Sequence, residues 1–214
     1  MSPVRSDSPE ARAGDRILEV FAVLLLGMAT LGSAWCGYQA SQWNGKESHA
    51  SALSSDERVE GGRLFSLATQ EVTYDGIIVA QYAQAVANDD TNLQEFYRAT
   101  LIRPEFLPVL DRWEAQLKAG QPAERVLQDP EYVAERFADY TAAQDRAEVA
   151  SAESRDAAQN ADDYVLLTVL FASALFFAGI TTSFRARLPR LMLLLAAGIT
   201  LAYCAGRLVD LPMA

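Results

Sequence analysis

Histidine is almost missing from this 214-residue chain, with His49 the only one, and cysteine appears twice, at Cys36 and Cys204. A single imidazole excludes the paired Glu-x-x-His arrangement of di-iron bundles and most zinc sites. The sequence also has no glycine-rich phosphate loop, no nucleophile elbow and no Cys-x-x-Cys pair. No enzyme activity, cofactor or bound metal is therefore expected. Strand-like alternation is absent as well, while Ala, Glu, Gln, Arg and Leu abound, so the expected fold class is all-α.

What is present is distributed unevenly. Three runs are apolar enough and long enough to cross a bilayer: Val20 to Tyr38, Tyr164 to Phe184, and Leu191 to Val209, the last interrupted by Arg207. Between the first two lies a charged middle, residues 39–163, with 11 basic and 23 acidic side chains. Such an acidic surface argues against nucleic acid and anionic lipid as partners of this middle domain, because both need Lys/Arg patches that it does not offer.

Orientation follows from the short connections. The link Arg185, Ala186, Arg187, Leu188, Pro189, Arg190 holds three arginines and no acid, which keeps a loop on the cytoplasmic side. Arg5, Arg12 and Arg16 ahead of the first run agree with it. The expected plan is a cytoplasmic N-terminus (1–16), a first span (17–38), an extracytoplasmic helical domain (39–163), a second span (164–184), a cytoplasmic loop (185–190), a third span (191–209) and an extracytoplasmic C-terminus (210–214). A cleaved leader cut after Gly32 and Ala34, or a lipidated Cys36, fits less well. The apolar run is long for a signal peptide, and Trp35 stands where a lipoprotein signal needs a small residue. Trp35, Tyr38, Trp43 and Tyr164 fall where headgroups favour aromatic rings. Glu19, three residues after Arg16, reads as half of an interfacial ion pair rather than as an ion site.

Breakers divide the middle. Gly61 and Gly62 are expected to end or bend a helix that continues from the first span, and a second helix to run from Leu64 to Ala87 with Leu64, Ala68, Val72, Val79, Tyr82 and Val86 on one side. Asn88 to Thr91 read as a turn with N-cap candidates. A short helix carrying Leu93, Phe96, Tyr97 and Leu101 should stop at Arg103, ahead of Pro104. The next helix should bury Phe106, Leu110, Trp113 and Leu117 and end at Gly120, before Pro122. Asp129 as N-cap and Pro130 as first residue should open the longest helix of the chain, running to Phe184.

Two stripes free of charge suggest how the long helices meet. On the last one, Val133, Phe137, Tyr140, Gln144, Ala147, Ser151, Ser154, Ala158, Ala161, Val165, Thr168, Ala172, Leu175, Gly179 and Thr182 alternate at spacings of four and three. On the first, Gly27, Ala34, Ser41, Ser48, Ser55 and Gly62 recur every seven residues, with Gly45, Ala52 and Val59 beside them. Small uncharged faces let backbones approach closely. The expectation is an antiparallel stalk made of these two helices, with the middle helices completing a bundle.

Two features carry possible chemistry. Glu71 and Asp75, at i and i+4, could hold a hard cation, although a solvated acidic face is the commoner meaning. Cys36 and Cys204 come to similar depth, so a disulfide is possible; two buried thiols acting as small apolar groups is the preferred reading.

The stretch Trp35, Cys36, Gly37, Tyr38, Gln39 to Trp43, Asn44, Gly45, with Tyr164, Val165, Leu166 through Leu170, Phe171, Ala172 to Phe176, Phe177, Ala178, Gly179, Ile180, resembles a group of uncharacterised bacterial three-span membrane proteins. That resemblance implies the same architecture and a bacterial plasma membrane, and leaves the function open. Two functions fit the sequence: a non-enzymatic assembly or sensing module whose outer bundle contacts a partner or ligand, or a homo-oligomeric channel lined by Thr168, Thr181, Thr182 or Ser33. The partners expected are the lipid bilayer and either a second copy of the chain or another membrane protein.

Overall fold

The computed structural model describes residues 9–121, 125–184 and 186–214, with side chains from residue 16 onward. Arg5, Pro122 and Arg185, invoked above, lie outside the described residues. Among the described residues six α-helices follow in order: α1 (Pro9–Ala87), α2 (Thr91–Phe96), α3 (Leu107–Lys118), α4 (Pro130–Arg136), α5 (Ala138–Ile180) and α6 (Arg187–Asp210). The fold is all-helical, with no strand among the described residues. Among the described residues three helical stretches are long and apolar enough to cross a membrane, one each within α1, α5 and α6.

The longest helix is α1, at 79 residues, rather than the one that opens at Pro130. Gly61 and Gly62 do not interrupt it. A glycine costs an exposed helix about 1 kcal/mol relative to alanine, and Gly61 is buried, with the place of its missing Cβ only 3.7 Å from the Ala143 Cβ. Packing against α5 thus outweighs intrinsic propensity at that point.

α1 ends in a tight turn. Asp89 adopts a positive φ of 53°, and the Asp90 carboxylate accepts a hydrogen bond from the Leu93 N–H at 3.1 Å, capping α2. α2 runs into one wide π turn, Tyr97–Leu101, before Ile102 and Arg103 become extended ahead of Pro104. A 3-10 turn, Pro104–Phe106, leads into α3. α3 ends before Gly120, whose φ of +63° suits glycine alone at no steric cost. It buries Phe106 from the preceding turn and Leu110, but Trp113 is half-buried and Leu117 exposed.

The helix opened by Asp129 and Pro130 is not continuous. The Asp129 carboxylate accepts from the N–H groups of Glu131 and Tyr132, and α4 then gives way at Phe137, with φ −101° and ψ 8°. Two sets of contacts meet there. Tyr132 reaches Asp75 and the Phe106 ring, while Phe137 and Tyr140 both stack on Phe65, at centroid distances of 5.6 and 5.2 Å. One non-helical residue lets both be satisfied, and the flanking hydrogen bonds from Phe137 N–H to Val133 O and from Thr141 N–H to Phe137 O survive. α5 closes with a 3-10 turn, Thr181–Ser183.

The chain divides into two compact units, residues 1–51 with 152–214, and residues 52–151. The first unit has a core of Ala29, Cys36, Ala40, Tyr164, Leu167, Phe171, Ala174, Leu201 and Cys204, shared by α1, α5 and α6. In the second, α1 and α5 pack antiparallel, and a separate core joins Ile78, Val79 and Tyr82 to Ile102, Phe106, Val109, Leu110 and Tyr132.

Candidate functional site

Seven residues after Ala68 and seven before Tyr82, Asp75 occupies the apolar stripe of α1 and is 2% exposed. A carboxylate withdrawn from water must be matched by donors, and three are supplied. Arg103 donates from Nε to Oδ1 at 3.0 Å and from Nη2 to Oδ2 at 2.6 Å, a bidentate fork, and the Tyr132 hydroxyl donates to Oδ2 at 2.6 Å. The π turn after α2 and the extended residues before Pro104 bring Arg103 to this position.

Around this centre the network widens. Arg103 Nη1 reaches Glu71 at 2.9 Å, Arg136 Nη1 reaches the same oxygen at 3.2 Å, and Arg136 Nη2 pairs with Glu135 at 2.8 Å. The Arg103 hydrogen bond, followed by that of Arg136, holds the Glu71 carboxyl below the usual carboxylate range. Burial, reinforced by Asp75, pushes the Tyr132 hydroxyl well above its ordinary value. Asp75 is therefore buried rather than part of the solvated acidic face expected from the sequence, Glu71 stays exposed, and arginines meet both carboxylates. Among the described residues no group of three metal-ligating side chains converges.

A second brace joins α1 to α3. Tyr82 donates its hydroxyl to Glu114 at 2.5 Å, and Arg98 bridges Glu114 at 2.7 Å and Asp111 at 2.5 Å. The Asp111 hydrogen bond is the main reason the Arg98 guanidinium is raised above its ordinary pKa. These groups hold one another in place; none offers an unengaged base beside a nucleophile.

In the first unit, Gln39, Trp43 and Tyr164 hold the segment after α6. Trp43 Nε1 donates to the Pro212 carbonyl at 3.2 Å, the Tyr164 hydroxyl donates to it at 3.1 Å, and Gln39 Oε1 accepts from the Ala214 N–H at 3.1 Å. The side-chain oxygen of Gln39, a residue 3% exposed, is thus matched. Cys36 and Cys204 are free thiols, fully buried in the same core. Glu19 and Arg16 are both exposed, and no ion pair joins them.

The small-residue stripes sit elsewhere than expected. On α1, Gly27, Ala34, Ser41, Gly45, Ser48, Ala52, Ser55, Val59 and Gly62 are all exposed. The packed side of α1 runs through Ala22, Ala29, Cys36 and Trp43 in the first unit, and through Ser54, Gly61, Ala68, Asp75 and Tyr82 in the second. On α5, Ala147 and Ala161 are buried, Ser151, Ser154, Ala158 and Gly179 half-buried, and Ala172 exposed. There the buried set, Ala143, Ala150, Ala157, Tyr164, Phe171 and Ala178, lies one residue earlier than the stripe on one of its two tracks. Absence of charge failed as a guide for two reasons. The apolar stretches 20–38 and 164–184 carry no charge on any face, and in the second unit the packed face of α1 accepts Asp75 and Glu57 because arginines meet them.

Comparison with protein-family models, curated proteins and solved structures found no match for this chain.

Proposed function

We propose that the chain is a non-enzymatic integral membrane protein of the bacterial plasma membrane, an assembly or sensing module. In this reading residues 39–163 lie outside the cytoplasm and contact a partner, and the partner that the surface favours is a second copy of the chain. One observation carries it. In the second unit, α1 presents an exposed face, Ala52, Ser55, Val59, Gly62, Ser66, Thr69 and Thr73, that has no charge on it, although the surrounding sequence is rich in Asp and Glu.

The hydroxyls on that face make it smooth. Ser66, Thr69 and Thr73 donate to the carbonyls of Gly62, Phe65 and Thr69, at 2.9, 2.8 and 2.7 Å, rather than reaching outward. The spacing of three and four is that of a helix seam that pairs with another helix, and small side chains permit close approach. A solvent-facing helix would carry charges there.

A channel lined by Thr168, Thr181, Thr182 or Ser33 gains less support, because the three threonine hydroxyls donate to carbonyls of α5, those of Thr181 and Thr182 from the turn that ends it. Light scattering of the purified protein in mild detergent tests the module reading. More than one copy per particle is expected, and Val59→Glu, at a position 75% exposed, should return it to single chains with unchanged helical circular dichroism. Single chains in the unmodified protein would end the self-association reading.

A further inference from the structure

Between the first turns of α6 and the matching stretch of α1 runs an apolar groove of about 530 Å³. Its walls are Leu18, Phe21 and Leu25 on α1 and Leu194, Gly198 and Ala202 on α6, and its two helices enter it at Ile17 and Leu191. Along α6 it runs from Leu191 to Ala202, about 16 Å at 1.5 Å per residue. The hydrocarbon core of a bilayer is about 30 Å thick, so the groove is as deep as one leaflet and stops near the midplane. A helix from another chain would need a groove through both leaflets; a single acyl chain needs this one.

The charges at the mouth fit that occupant. Arg187 and Arg190 stand one helical turn before Leu191 and Leu194, so they continue the groove stripe toward the headgroups, and Arg16 immediately precedes Ile17. The Nε of Arg190 is buried and lacks a hydrogen-bond partner among the described residues. A buried guanidinium N–H without an acceptor is costly; because this Nε is covered, a headgroup phosphate meets it only when the Arg190 side chain turns outward, which the missing acceptor favours. By sequence, Asp15 and Glu19 are the acids nearest this mouth, against Arg16, Arg187 and Arg190.

We infer that this groove is a binding site for an anionic phospholipid, its acyl chain lying between α1 and α6 and its phosphate on Arg190, assisted by Arg187 and Arg16. Basic pockets between spans on the cytoplasmic side select anionic headgroups in this way. The inference rests on the membrane reading proposed above, and it is independent of self-association.

Gly198 makes the site testable, since a Cβ added there meets nothing within 4 Å. Gly198→Leu should therefore fill the groove without disturbing the helices. The protein, purified in mild detergent and equilibrated with equal phosphatidylglycerol and phosphatidylcholine, would be examined by native mass spectrometry for retained lipid. Unmodified protein should retain phosphatidylglycerol in preference, undisplaced by inorganic phosphate. Gly198→Leu should lower retention of both lipids about tenfold, the contact of roughly two methylenes. Arg190→Gln should lower the preference for phosphatidylglycerol about fivefold and leave phosphatidylcholine unchanged. Equal retention by all three proteins, displacement by inorganic phosphate, or a change in copy number in Gly198→Leu with lipid retention unaltered would overturn the inference. Failure of the membrane reading is distinguishable, because the protein would then leave the membrane fraction without detergent, and failure of self-association would show in Val59→Glu alone.

Discussion

Asp75 shows how one side chain constrains its surroundings. Removing Arg103 leaves a buried carboxylate with only the Tyr132 hydroxyl, so Arg103→Gln should destabilise residues 52–151 by about 3 to 5 kcal/mol. Tyr132→Phe removes one hydrogen bond to a charged group and should cost about 1.5 to 3 kcal/mol. Urea titration in detergent, followed by near-ultraviolet circular dichroism, measures both; losses below 1 kcal/mol in each would mean that water reaches Asp75. Acid acts on the same unit. Glu71 is held low chiefly by Arg103, and Asp129 chiefly by the Tyr132 N–H and then by Arg112. Because their folded values lie below the ordinary 4.5 and 3.8, the stabilisation they give is complete above those values and is lost as pH falls through the folded ones. The urea midpoint should hold from neutrality to about pH 5 and fall below it, and Asp129→Asn should flatten that fall. A midpoint that rises on acidification would show instead that repulsion among the many carboxylates dominates. The sequence put Asp75 with Glu71 on an acidic face, although its spacing of seven from Ala68 and from Tyr82 places it on the apolar side. Its partner was not legible, because Arg103 comes from a non-helical stretch whose path no periodicity reveals.

At the level of helices, caps and breakers were the most readable features. Asp90, Pro104, Gly120, Asp129 and Pro130 all act where their chemistry places them. The glycines inside helices were not readable, since their effect depends on what faces them. Gly61 meets Ala143 and Tyr140 at 3.7 and 3.8 Å, ordinary contact distances, so Gly61→Ala should gain helix propensity and raise stability by about 0.5 to 1 kcal/mol. Gly32 faces the buried Phe171 ring, and an added Cβ would lie 2.5 Å from it, so Gly32→Ala should destabilise by about 1 to 3 kcal/mol. Thermal midpoints in detergent, compared side by side, should move in opposite directions; a shift of the same sign in both would mean that propensity, not packing, decides. The kink at Phe137 escaped the sequence because neither proline nor glycine marks it. It comes from aromatic contacts made on either side of it, by Tyr132 and by Tyr140.

For the molecule as a whole, hydropathy and the basic loop gave the three apolar helices and suggested an orientation, while the charge-free stripe of α1 suggested an internal seam and is exposed instead. That exposure is what turns attention from the inside of one chain to contact with another. The account depends most on residues 39–163 lying outside the cytoplasm, with Arg187 and Arg190 inside. The native cysteines are buried, so the unmodified protein serves as the blank for thiol labelling. Glu95→Cys, on an exposed position of α2, and Leu188→Cys, 66% exposed at the start of α6, would each be treated on intact cells with a maleimide that cannot cross the plasma membrane. Labelling of Glu95→Cys at once, and of Leu188→Cys only after lysis, is the expected result; the reverse order would contradict the account.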